Sequence, residues 1–230
     1  MTTHAFFDPF GAFAAEAPAA PARAPRARRN LCYRELLGET WWRLPAATRA
    51  RFEGHDALYA GTMTLHATAA GRWVARLCKL VGSPLPPPSD RPLAATVRVE
   101  PDRGTGGSRW TRCYDFPRGR VSVASVKALD ADGGLVERLG CGIRMRLTLG
   151  VRDGALCFDS AGYYVESEGV AFGGRRYGAW RIALPSWFLP GRTCVVHSDL
   201  GGGRFRFTMT IRHELLGELF HHDGVFHSVE

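Results

Sequence analysis

The sequence predicts an α+β protein that is mainly β: a curved antiparallel sheet or up-and-down β-barrel with N-terminal helices packed on it. Two observations carry that prediction. Apolar residues recur at helical spacing only before Leu93, and from there on the pattern has period two. The links between the strand-like segments are short and turn-rich ("PRG", "DADGG", "RDG", "LGGG" and "HDG"). Short links join antiparallel neighbours, because parallel strands need long crossovers.

Residues 1–29 divide into a Phe-rich start, "HAFFDPFGAF", and the Ala/Pro/Arg stretch "FAAEAPAAPARAPRARR". The latter has too little apolar surface to offset its ordering entropy and reads as a disordered linker. The Phe-rich start reads as a docking segment, for a partner or for the protein's own surface, or as a frayed terminus. A single domain over residues 30–230 begins at Asn30, a residue of N-cap type. Tyr33, Leu36, Leu37, Trp41 and Leu44 fall at helical spacing, so "LCYRELLGETWWRL" predicts an amphipathic helix. Pro45 opens a second, "PAATRARF". A strand in "AGTMTLHA" and a helix in "GRWVARLCKLVG" follow, the helix stopped by Gly82 and "SPLPPP". Strands are expected near 93–100, 109–116, 120–129, 135–151, 155–166, 179–184, 192–199 and 204–213. A last hairpin is expected about Asp223-Gly224, matching the Asp153-Gly154 signal.

The 230 residues are 45% hydrophobic and 23% charged, ordinary values for a globular chain able to bury a core. No apolar run approaches the ~20 residues of a membrane span, and the start lacks the basic head and apolar stretch of a signal peptide. A cytoplasmic protein with no membrane partner is expected. The net charge of +8 is dispersed, without the basic stripe or recognition motif that nucleic-acid binding requires. Six cysteines (Cys32, Cys78, Cys113, Cys141, Cys157 and Cys194) lie far apart with no CxxC pair, and read as buried free thiols.

Strand parity, carried across hairpins, exposes an inner face. About "RDG", Leu149 faces Phe158, Leu147 faces Ser160, Met145 faces Gly162 and Ile143 faces Tyr164. The apolar alternation makes this set interior. Counting back through "DADGG" and "PRG" places Glu137, Ala124 and Ser122 on that face, with Ala124 opposite Arg112 and with Trp110 and Tyr114 beside it. Small residues on this face (Ser122, Ala124, Ala128, Ser160 and Gly162) predict a hollow. Arg112 and Glu137 would point into it, where they either pair with each other or meet a ligand.

The segments "YRELLGETWWRLP", "RWTRCYDF", "GGLVERLG", "GGGRFRFTMTI" and "ELLGELF", in that order over residues 30–226, resemble the bacterial domain-of-unknown-function family DUF4166. The resemblance carries over to Trp110, Arg112, Glu137, Arg138, Gly140, Arg204, Phe205 and Phe207. It also implies a redox neighbour, since the family's domain often follows a saccharopine dehydrogenase-like NAD(P)-binding domain. No such domain is present here: "GTGGS" at 104–108 is too short for a dinucleotide loop and opens no helix. Where the family tends to a Tyr-containing final strand, this chain has His221 and His222.

"HELLGELFHH" is not a zinc-protease motif, because position 217 is Gly and the segment reads as a strand on which His213 and Glu214 diverge. His222 and His227 would flank the Asp223-Gly224 turn, too few ligands for a metal, and read as solvent-facing hairpin residues. No GxSxG, P-loop or paired carboxylates are present. Tyr164, Glu166 and Glu168 share a face, as an acid–base set or as a strand end reaching water. Three functions follow. The first is a lipocalin-like module binding an apolar or amphipathic small molecule at Trp110, Arg112, Tyr114, Glu137, Met145, Ser160, Tyr164, Phe205 and Phe207. The second is a cyclase or isomerase using the same cavity without a cofactor. The third is an accessory subunit of a separate NAD(P)-dependent reductase, docked through the Phe-rich segment. No metal or cofactor is expected in any of them.

Overall fold

A computed structural model describes residues 30–53, 56–80, 85–167, 169–172, 175–178, 180–185 and 189–229; the Phe-rich start and linker lie outside these. The helices are α1 (Tyr33–Leu37), continued by a 3-10 turn over Gly38–Arg43, α2 (Ala46–Glu53) and α3 (Ala69–Leu80). The first predicted helix is thus broken at Gly38, whose φ of 53° no helix accepts.

Among the described residues thirteen strands follow the period-two pattern: β1 (Ala57–Ala67), β2 (Ser89–Asp102), β3 (Gly107–Phe116), β4 (Gly119–Leu129), β5 (Leu135–Gly140), β6 (Ile143–Arg152), β7 (Ala155–Ser167), β8 (Val170–Phe172), β9 (Arg175–Tyr177), β10 (Trp180–Ala183), β11 (Arg192–Gly201), β12 (Arg204–His213) and β13 (Gly217–Val229). Eleven form one antiparallel sheet in the order β10-β7-β11-β12-β13-β1-β2-β3-β4-β5-β6. Because β6 also pairs with β7, the ten strands other than β10 close into a barrel, which leaves no open edge among them.

Several expectations change. The predicted strand 135–151 is two strands, because Cys141 and Gly142 make a tight turn with φ of 43° and 77°. Asp223-Gly224 is not a hairpin. Both lie inside β13, where Thr208 and Phe207 pair with them; the turn is three residues long, Glu214–Leu216. Gly224 is wanted there for space, since a Cβ would meet the Thr62 carbonyl oxygen at 2.6 Å. Asp153-Gly154 does turn a hairpin, with both residues at positive φ. Of the free cysteines only Cys157 is buried, and Cys141 is exposed on its turn.

The core lies inside the barrel and beneath the α1–α2 segment at one of its ends. Leu31, Tyr33, Leu37, Trp41, Leu44 and Phe52, from the α1–α2 segment, pack with Leu65, Trp110, Leu156, Phe158 and Phe226 of the barrel wall. The segment is tied to the β2–β3 turn by Leu31 N–H donating to the Gly106 carbonyl. α3 packs on β13 and β1, where Ala67, Ala75, Ile211, Leu219 and Phe220 form a second cluster.

Candidate ligand-binding site

The inner wall carries charge. On β3, Ser108, Trp110, Arg112 and Tyr114 alternate with outward Arg109, Thr111 and Cys113. Their partners on β4 are Lys127, Ser125, Val123 and Val121. Lys127 pairs in turn with Glu137 on β5, and Glu137 with Met145 on β6. Four side chains from three adjacent strands therefore meet. Glu137 Oε1 accepts from Ser125 Oγ at 2.5 Å and from Lys127 Nζ at 3.1 Å. Arg112 Nη1 donates to Ser125 Oγ at 3.2 Å, while its Nη2 lies 3.9 Å from Glu137 Oε1. Burial opposes the Glu137 charge, but Lys127, Arg112 and the Ser125 hydrogen bond outweigh it and hold its pKa below the ordinary carboxylate value. Burial lowers the Lys127 pKa, and Glu137 only partly restores it. Lys127 also lies 5.0 Å from the centre of the Trp110 ring.

Arg112 and Glu137 are thus interior as expected, but by a route different from the one counted. The "PRG" turn pairs Phe116 with Gly119, so Arg112 faces Val123, not Ala124. The "DADGG" turn pairs Lys127, not Val126, with Glu137. Counted back from β6, the two one-residue slips cancel at Arg112 and leave β4 inverted between them. Ser122 and Ala124 are exposed on the outer wall, and the hollow predicted beneath them is not there.

A further slip lies in β7. After Leu147↔Ser160 the register shifts, and Arg146 pairs with Gly162. This bulge turns Tyr163 and Val165 inward and Tyr164 outward. Tyr163 bonds Thr193 across the interior at 3.1 Å. Tyr164 instead lies against Arg181 and Arg146 on the outer wall, where Arg181 also pairs with Glu166. An acid–base pair of Tyr164 and Glu166 inside the barrel is excluded, and Glu168 lies outside the described residues.

Beside the charged cluster is a cavity of about 20 Å³, lined in part by Arg51, Trp110, Arg112, His197, Phe205 and Phe207. It is large enough for one water. Four of the predicted site residues (Trp110, Arg112, Phe205 and Phe207) line it; Glu137 does not, and lies behind Arg112 at 3.9 Å. Tyr114 and Met145 point inward but are packed elsewhere in the core. Ser160 accepts the Thr193 N–H at 2.8 Å.

Two residues that the sequence reading did not single out complete the site. His197, on β11, is buried among Phe52, Phe207, Phe158 and Trp110, with ring centres 5.1–6.2 Å away. Burial first, then Arg51, Lys127 and Arg112, hold its pKa well below the ordinary imidazole value. Arg51, on α2, lays its guanidinium 3.8 Å from the centre of the Phe205 ring, with Asp199 no nearer than 4.0 Å. His197 was legible, since "CVVHSDL" places it in phase with Val195 on an inward face. Arg51 was not, because α2 shows no clear apolar stripe. His222, read as solvent-facing, is 2% exposed and points inward between Leu65 and Met209. His227 is exposed.

A closed antiparallel barrel with helices over one end and a charged cluster on its inner wall defines the class of protein. Residues 44–226 match the domain-of-unknown-function family DUF4166, and the chain belongs to that family. Neither a curated protein nor a solved structure matched it. Among the described residues no helix is long and apolar enough to cross a membrane, and no three His, Cys, Asp or Glu side chains gather as a metal set.

Proposed function

We propose that this barrel binds a small apolar or amphipathic molecule in its interior. The observation that carries the reading is a conflict between register and burial. Val97, Val123, Val195, Phe207 and Met209 all occupy inward positions, yet each is only partly buried. Inward apolar side chains that still meet solvent line a wet interior, and a few convergent polar groups beside apolar walls are what a small-molecule site presents. A cavity of about 20 Å³ is far below the roughly 300 Å³ of a drug-sized site. Binding therefore requires the Phe52 ring of α2, packed on Tyr33, Phe158 and His197 at the barrel end, to move aside.

Native mass spectrometry of the purified protein, looking for a co-purified small molecule, tests this without a guess at identity. Fluorescence of 8-anilinonaphthalene-1-sulfonate (ANS) under native conditions gives a second readout. A bare mass together with no probe binding would sink the reading. The smallness of the cavity favours a second reading, an accessory subunit whose barrel is a scaffold. Co-purification with an NAD(P)-dependent reductase, lost on deleting residues 1–12, would support it.

A further inference from the structure

We propose that the molecule bound inside the barrel is an anion, its acidic headgroup held by Arg51 and His197. This rests on the binding reading above and assigns the ligand's charge. The first support is electrostatic. The interior and its rim hold three cations, Arg51, Arg112 and Lys127, against two carboxylates, Glu137 and Asp199. The pairing is uneven as well. Lys127 takes Glu137 at 3.1 Å, whereas Arg112 stands 3.9 Å from Glu137 and Arg51 stands 4.0 Å from Asp199. One positive charge is left over in a site of low dielectric, where an anion is worth far more than in water.

The second support is a set of donors with nothing to donate to. Arg51 Nη1 and His197 Nδ1 are buried without a hydrogen-bond partner, and both residues line the same cavity. Asp199 Oδ1, also unpartnered, stands 4.0 Å from Arg51, too far to take its proton. Unpartnered buried donors are costly, and two on one cavity mark a place for an acceptor. A carboxylate accepts from both, with His197 as its Nδ1–H tautomer, and it also cancels the left-over charge, which a water does not. The aromatic neighbours then set the shape of the ligand. Phe205 and Phe207 flank the donors, and partly exposed Val97 and Phe207 mark the side on which an apolar body would lie.

The test compares three probes of equal chain length, decanoate, decanol and decylammonium, by displacement of ANS and by calorimetry. Decanoate is expected to bind at least tenfold tighter than decanol, and decylammonium more weakly than either. Arg51→Met, whose fold is checked by circular dichroism, should remove that preference and bring decanoate to the affinity of decanol, and Arg51→Lys should restore part of it. His197→Phe should weaken decanoate severalfold and decanol little. Decanol or decylammonium binding as tightly as decanoate overturns the anion assignment and leaves the binding barrel standing. If none of the three binds, the binding reading itself fails and the assignment falls with it.

Discussion

Arg112 and Glu137 meet inside the barrel only through residues between them: Nη2 and Oε1 are 3.9 Å apart, while Ser125 bonds both and Lys127 takes the carboxylate at 3.1 Å. The cluster is therefore a network. Removing Glu137 leaves two cations buried without their carboxylate, and Glu137→Leu is expected to cost about 3–5 kcal/mol. Lys127→Met should cost less, and the double variant less than the sum of the two. Urea denaturation of the four proteins in the cycle measures this. Additive losses would show that Lys127 and Glu137 act independently.

His222 is buried neutral. Burial first, then His221 and Arg112, lower its pKa to about 4. The unfolded chain, titrating near 6.5, binds the proton that the folded protein refuses, so stability rises with pH across that window. Between about pH 6.5 and pH 4 the fold should lose roughly 3 kcal/mol from this residue as the solution is acidified. His222→Gln should flatten the slope, as read from melting temperature against pH. A slope unchanged by the substitution would rule out His222 as its source.

Phe52 closes the barrel end, with its ring 5.3 Å from Tyr33, 5.9 Å from Phe158 and 5.1 Å from His197. Phe52→Ala should destabilise by about 3–5 kcal/mol. It should also enlarge the cavity beside His197, so ANS binding under native conditions should rise. Weaker probe binding in a folded variant would place the entry elsewhere.

β1 and β13 approach closely at Gly61, where a Cβ would lie 2.0 Å from the Val225 carbonyl oxygen. Gly61→Ala is expected to cost more than about 2 kcal/mol, because the obstacle is backbone and cannot swing away. Gly150→Ala, in a strand with open space around the added methyl, should change stability by less than about 1 kcal/mol. Equal melting temperatures for the two variants would contradict the close approach.

Much was legible from local pattern alone. Period-two alternation after Leu93, short turns and helical spacing before it fixed a mainly β chain of antiparallel neighbours with N-terminal helices. That Trp110, Arg112 and Tyr114 share one face of β3 followed from the same alternation. Facts of this kind depend on residues a few positions apart, and the sequence determines them directly.

What the tertiary structure decided was register. Side chains alternate every residue along a strand, so one residue more or less in a turn exchanges inner and outer faces. That is why Ser125 and Lys127 were missed while Glu137 was placed correctly, and why the bulge at Gly162 sent Tyr164 to the outer wall. A bulge or a turn length is settled by the whole ladder of partners on both sides, and closure between β6 and β7 exists in no local segment. Asp223-Gly224 has every local mark of a turn, yet it runs straight through β13 because β1 and β12 pair with it along both edges. The charged interior is likewise a property of the closed barrel: Arg51 joins β3 and β11 only once α2 is laid across the barrel's end.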